Sequence, residues 1–153
     1  MKYLLALKSE TPLSDELQKV TSEFIESLAP DQLEIIQYKF EDSLRTTWTN
    51  LPVGMEKRPG VKFGDLSEAS RIKFHQILTT LLSSQGYLKV TSIMNLDDIL
   101  NEVYETAFNR NNISEGALKR IKKLDWDYGN YFVSIWNSPH SEEPWGLKFE
   151  GHH

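Results

Sequence analysis

The apolar residues of this chain change period near residue 124, and that change limits the fold more than any other feature. Up to Lys123 they recur every three or four residues, the repeat of a helix face. Beyond it, Tyr131-Phe132-Val133-Ser134-Ile135-Trp136 is aromatic and β-branched, the composition of a strand. Asn137-Ser138-Pro139 turns the chain, and Trp145-Gly146-Leu147-Lys148-Phe149-Glu150 alternates apolar and polar residues at period two. The two segments predict an antiparallel hairpin. A lone hairpin is marginal in water, so it needs helices packed on it or further strands. The expected fold is α+β: a cluster of four to five helices over residues 13–123, then an antiparallel β-hairpin or small sheet over residues 130–153. A chain of 153 residues fits one domain, or one domain and part of a second.

The helical part divides as follows. Leu17, Val20, Phe24 and Leu28 predict a helix over 13–29 with Ser14 as its N-cap. Pro30 suits the first turn of a second helix, which carries Leu33, Ile36, Phe40 and Leu44 and ends near Trp48. Residues 49–64 hold Pro52, Gly54, Pro59, Gly60 and Gly64 and read as a long loop, a kind often functional in a compact domain. Asp65 and Glu68 signal the next helix start. That helix carries Ile72, His75, Leu78, Leu81 and Leu82, with Gly86 as its C-terminal cap. A fourth runs from about Tyr87 to Phe108, with an apolar face broad enough to pack on two sides. After a break at Asn109–Asn112, Ser114 and Glu115 start a short helix ending at Lys122-Lys123.

Composition narrows the function classes. At 39% hydrophobic and 25% charged residues the chain has an ordinary soluble make-up. Its net charge of −5 argues against nucleic acid, which needs concentrated basic surface. Lys119-Arg120-Ile121-Lys122-Lys123 is a basic run without interleaved aromatics and reads as a solvated helix end. With no cysteine, disulfides, thiol catalysis and cysteine-bound zinc are excluded, and the composition is compatible with the cytoplasm. The apolar run in Met1-Lys2-Tyr3-Leu4-Leu5-Ala6-Leu7-Lys8 is shorter than a signal-peptide core. No stretch reaches the ~18 apolar residues of a membrane span. The expectation is a cytoplasmic protein that contacts no membrane, with a secreted or periplasmic parent as the alternative. Walker, dinucleotide-binding, nucleophile-elbow and H-E-x-x-H motifs are absent, and Asp97-Asp98 and Asp125-x-Asp127 lack the rest of an EF-hand loop.

Several local strings, taken together, resemble a known family. They are Phe40-Glu41-Asp42 with Arg45 and Trp48, Arg58-Pro59-Gly60 followed by Gly64-Asp65-Leu66-Ser67, and Leu81-Leu82-Ser83 with Gly86-Tyr87. The most specific is Pro144-Trp145-Gly146 running into Phe149-Glu150-Gly151-His152-His153. The chain resembles the amino-terminal half of the uncharacterised bacterial family called domain of unknown function 3500. Members of that family are usually about twice as long, with further strand-forming sequence after the histidine pair. The resemblance thus implies a fragment, a truncated chain or a short relative, and it implies no known reaction.

Candidate chemistry centres on His152 and His153. Neutral imidazole binds metals and moves protons near pH 7. Adjacent strand residues point to opposite faces, so both reach one ion only if the backbone turns after Gly151. Zinc would need a further protein ligand, for which His140, near the start of the same hairpin, and Glu150 are the candidates. Against this stand a strand-capping or core role for the pair, and the start of a purification tag; the family-like Phe149-Glu150-Gly151 before it weighs against the tag. Arg45, Arg58 and Trp48 flank the long loop, and two guanidinium forks could hold a small anionic molecule. The plainer account pairs Arg45 with Asp42 and packs Trp48 on the loop. His75, on an apolar stripe, reads as a half-buried core histidine, and His140 in its turn as solvent-exposed.

Two function classes follow. One is a metal-dependent enzyme, a hydrolase or oxidoreductase, with His152 and His153 as catalytic groups, His152, His153 and Glu150 on a divalent metal ion, and Arg45, Arg58 and Trp48 on the substrate. The other is a non-enzymatic binding or interaction module with structural histidines. The oligomeric state is open at this point.

Overall fold

A computed structural model describes residues 12–151. His152, His153 and the apolar start at residues 1–8 lie outside the described residues. Among those described there are five helices and four strands, an α+β architecture. The helices are α1 (Pro12–Glu26), α2 (Pro30–Ile36), α3 (Glu68–Leu81), α4 (Ser84–Asn109) and α5 (Glu115–Lys122). The strands are β1 (Gln37–Tyr38), β2 (Val61–Lys62), β3 (Tyr131–Trp136) and β4 (Gly146–Gly151). No described helix is long and apolar enough to cross a membrane.

The expected hairpin forms: β3 and β4 pair antiparallel from Tyr131↔Gly151 to Trp136↔Gly146. It is the long side of a larger, mixed sheet. With β4 along one whole edge of β3, the other edge is shared by two short strands. Strand β2 runs antiparallel to its first half, at Val61↔Val133, and β1 runs parallel to its second half, at Gln37↔Ile135. At the junction between them Ser134 Oγ donates to Pro59 O at 2.8 Å, and Gly60 N donates to the Tyr38 hydroxyl at 3.0 Å. Gly60 has φ +97°, and a Cβ there would fall 2.0 Å from Val133 O, so the junction requires glycine. At Gly151 a Cβ would fall 2.5 Å from Tyr131 Cδ1 and 2.7 Å from Asn130 O, a close approach that a glycine in a strand allows.

Alternation along β3 divides the sheet into two faces. Tyr131, Val133 and Ile135, with Leu147 and Phe149 of β4, join the core built by α1, α3 and the turn after β2. Its centre is aromatic: Phe74 of α3 lies 5.4 Å from Phe24 of α1, 5.9 Å from Phe63 and 4.8 Å from Phe149, ring centre to ring centre. Helix α1 is also tied to α3 by a 2.5 Å Lys73–Glu23 ion pair, whose hydrogen bond holds the Glu23 carboxyl below its usual range. On the opposite face, Trp136 stacks on Tyr38 at 5.7 Å. Lys148 and Glu150, paired in register with Ser134 and Phe132, belong to this second face.

Several boundaries differ from the sequence reading. Helix α1 starts at Pro12, so Ser14 lies buried in its first turn. Helix α2 stops at Ile36 rather than near Trp48, because Ile36 is fully buried and the next two residues join β3 as β1. The supposed stripe therefore dissolves, and Leu33 and Leu44 are exposed. The loop at 49–64 contains β2, whose Val61 is 1% exposed. Helix α3 is capped by Ser67, whose Oγ accepts Ser70 N, while Asp65 closes a single 3-10 turn, Phe63–Asp65. Its inner face is Phe74, Ile77 and Leu78; Ile72 points outward at 55% exposure. Gly86 does not end α3 but lies in the first turn of α4, its N–H bonded to the cap Ser83. Helix α4 is not packed on two sides: it buries Met94 and Asp97 and leaves Leu88, Leu96, Ile99 and Val103 more than half exposed. Helix α5 begins after Ser114 as expected, whose Oγ accepts Ala117 N.

Candidate functional site

The second face of the sheet carries charge where β4 runs out. Lys148 and Glu150 stand two residues apart on one strand face, so their side chains are neighbours. Their Nζ and Oε1 lie 2.6 Å apart, with both side chains less than 15% exposed. Lys148 Nζ also donates to Thr47 O at 3.0 Å, which fastens the loop of residues 47–59 over the end of β4. Between loop and strand lies a cleft of about 60 Å³, lined among others by Trp48, Glu56, Lys57, Arg58 and Glu150. Arg58 is 7% exposed, and its Nη2 donates to Leu51 O at 2.7 Å, so the guanidinium is held from the loop side. Trp48, at the same cleft, is 62% exposed.

Three of the residues singled out in the sequence thus meet here: Trp48, Arg58 and Glu150. Arg45 is not among those lining the cleft. Its guanidinium lies 4.2 Å over the Phe40 ring and its Nε donates to Phe40 O at 2.7 Å. Asp42, its supposed partner, instead accepts Leu44 N and caps the 3-10 turn Ser43–Arg45. His152 and His153 follow Gly151 directly in sequence and lie outside the described residues. Among the described residues no three His, Asp or Glu side chains form a group able to hold a metal ion. Glu150, the described member of the expected ligand set, has its carboxylate engaged by Lys148.

Other titratable groups make contacts within the fold. His75 is half-buried as expected, with Nδ1 3.0 Å from the Tyr87 hydroxyl and its ring edge-on to Phe63; burial pushes its pKa down. His140 is exposed, and its Nε2 lies 2.7 Å from Ser22 Oγ, which links the β3–β4 connection to α1. Sequence reasoning missed two polar elements. Asp97 of α4 is 2% exposed and accepts the Tyr131 hydroxyl at 2.9 Å; burial, with the nearby carboxylate, raises the Tyr131 pKa. Asp98 accepts Tyr128 N at 2.6 Å, so the Asp97-Asp98 pair anchors the segment leading into β3. The second is Lys148, whose two-residue spacing from Glu150 was a legible signal of a same-face ion pair.

The cleft can accept charge. Its lining holds two cations, Lys57 and Arg58, against two carboxylates, Glu56 and Glu150, and Lys148, beside the cleft, already pairs with Glu150. A volume of about 60 Å³ takes a few waters or one carboxylate or phosphate group, well short of a drug-sized molecule.

Comparison with known proteins agrees with the resemblance drawn from the local strings. The model of the family described as "Protein of unknown function (DUF3500)" matches residues 10–153, a span that includes the cleft and both histidines. No curated protein and no solved structure matches the chain. On that match, which covers nearly its whole length, the chain belongs to this family of unknown function.

Proposed function

We propose that the cleft between residues 47–59 and β4 is the substrate site of an enzyme that acts on a small carboxylate- or phosphate-bearing molecule, with His152 and His153 as its acid–base groups or as ligands of a divalent metal. One observation carries the reading. Trp48 and Arg58 of one loop and Glu150, far along the chain, line one cleft whose β4 wall leads within two residues to the histidine pair. In this reading the Arg58 fork binds the anion through paired hydrogen bonds. Lys148 neutralises Glu150, so that its carboxylate does not repel the ligand, and the exposed Trp48 indole closes over the ligand's planar part.

Calorimetric titration with inorganic phosphate and with acetate tests the binding step. The expected result is saturable binding of at least one of them, weakened about tenfold in Arg58→Lys, which keeps the charge and loses the fork. Trp48→Ala should weaken only ligands larger than these two. A folded wild-type chain that binds neither anion removes the reading. The histidine step is read separately by elemental analysis: a bound metal that His152→Ala/His153→Ala removes, without loss of anion binding, is the expected outcome.

A second reading, a non-enzymatic interaction module, is favoured by one feature, the outward apolar stripe of α4.

A further inference from the structure

Helix α4 is 26 residues long, yet its fully buried residues are only Met94 and Asp97. On the side away from the core, Leu88, Leu96, Ile99 and Val103 are each more than half exposed. At the helical repeat these four fall within roughly 80° of one another, a stripe as narrow as a coiled-coil seam. Exposed apolar rows of this kind mark surfaces that receive another helix.

What that helix is follows from the charges. The carboxyl-terminal half of the stripe is a groove of about 410 Å³ lined by Ile99, Glu102, Val103, Thr106, Ala107 and Arg110. Among the described residues neither Glu102 nor Arg110 makes an ion pair or a side-chain hydrogen bond. They are eight residues apart on the helix, roughly 12 Å along its axis, too far to pair with each other. Each is four residues from Thr106. A two-fold axis through Thr106 therefore brings Glu102 of one helix level with Arg110 of an antiparallel copy, and Arg110 level with Glu102, so that one contact is made twice. A purely basic partner helix would answer Glu102 and repel Arg110; a purely acidic one would do the reverse. We propose that two copies of this chain pair antiparallel through the carboxyl-terminal halves of α4. Val103 packs at the crossing, Thr106 and Ala107 are small enough to let the helices approach, Ile99 lies level with Ile113 just beyond the partner's α4, and two Glu102–Arg110 pairs fix the register. This surface is distinct from the cleft at β4, and the proposal does not depend on the reading given to that cleft.

Sedimentation equilibrium on the full chain over a concentration series tests it. The wild-type chain should show a monomer–dimer equilibrium. Glu102→Arg and Arg110→Glu, each placing like charges opposite one another twice, should each weaken it roughly tenfold or more. Both positions are exposed, so circular dichroism should show the wild-type helix content. The decisive measurements are the two restorations: a one-to-one mixture of the single variants should form a heterodimer, and the double variant Glu102→Arg/Arg110→Glu should recover the wild-type affinity. A wild-type chain monomeric at every concentration overturns the proposal. So does a dimer indifferent to the single variants, or a pair of variants that fails to associate on mixing.

Discussion

His75 sits between the edge of Phe63 and the Tyr87 hydroxyl, half-buried, with a pKa lowered by that burial. The direction fixes a pH dependence. The unfolded chain takes up a proton near 6.5, and the folded chain only at lower pH. The stability tied to the neutral ring is therefore complete above 6.5 and is lost as pH falls from there through the folded value. The Glu23–Lys73 pair loses its contribution only below 4.5, the ordinary value from which Glu23 is displaced, so the window from 6.5 down to 4.5 lies clear of it. Thermal melts should show Tm falling across that window in the wild type and nearly flat in His75→Gln; an unchanged slope in the variant would assign the effect elsewhere. That His75 is half-buried was legible from its place among apolar residues. Its partner was not, because Tyr87 belongs to another helix, reached across the tight turn at Leu82-Ser83.

Among the elements, the two-strand edge of β3 depends on one residue, Gly60. Alanine there would place its Cβ against Val133 O and Ser134 Oγ at a φ that side chains avoid. Gly60→Ala should cost about 2 kcal/mol or more, combining backbone strain with overpacking. Urea denaturation measures it, and a midpoint equal to wild type would show that the junction yields. The same edge explains where sequence reading failed. Strands β1 and β2 are two residues each, and their partner comes only at Phe132–Trp136. Nothing local distinguishes Gln37-Tyr38 from a continuing helix, since Leu33, Ile36, Phe40 and Leu44 keep helical spacing. Long-range pairing overrode that pattern. The β3–β4 hairpin was legible because its evidence is local: alternation, aromatic and β-branched residues, and a turn between them.

Across the whole molecule, Phe74 joins the parts. Fully buried, its ring meets α1 at Phe24, the turn after β2 at Phe63, and β4 at Phe149. Phe74→Ala should cost about 3–5 kcal/mol. Helix content followed by far-ultraviolet circular dichroism and tryptophan fluorescence, whose response to unfolding comes largely from the buried Trp136 and Trp145 among the four tryptophans, should fall together in wild type and variant. Separate midpoints would mean that helices and sheet melt as independent units. The cleft was legible only in pieces. Trp48, Arg58 and Glu150 drew notice one by one as residue types suited to a ligand, whereas their meeting depends on how the loop at 47–59 lies over β4, which Lys148 sets from a strand far along the chain. The position of β3 also has a bearing on how the chain is made. A ribosome delivers β1 and β2 well before their partner. From Lys62 to Tyr131 some seventy residues must still be added, roughly 4–14 s at usual elongation rates. Through that interval Ile36, Val61 and Phe63 have no sheet to lie against. The time for which these apolar residues stay uncovered on the nascent chain is set by how late β3 is translated.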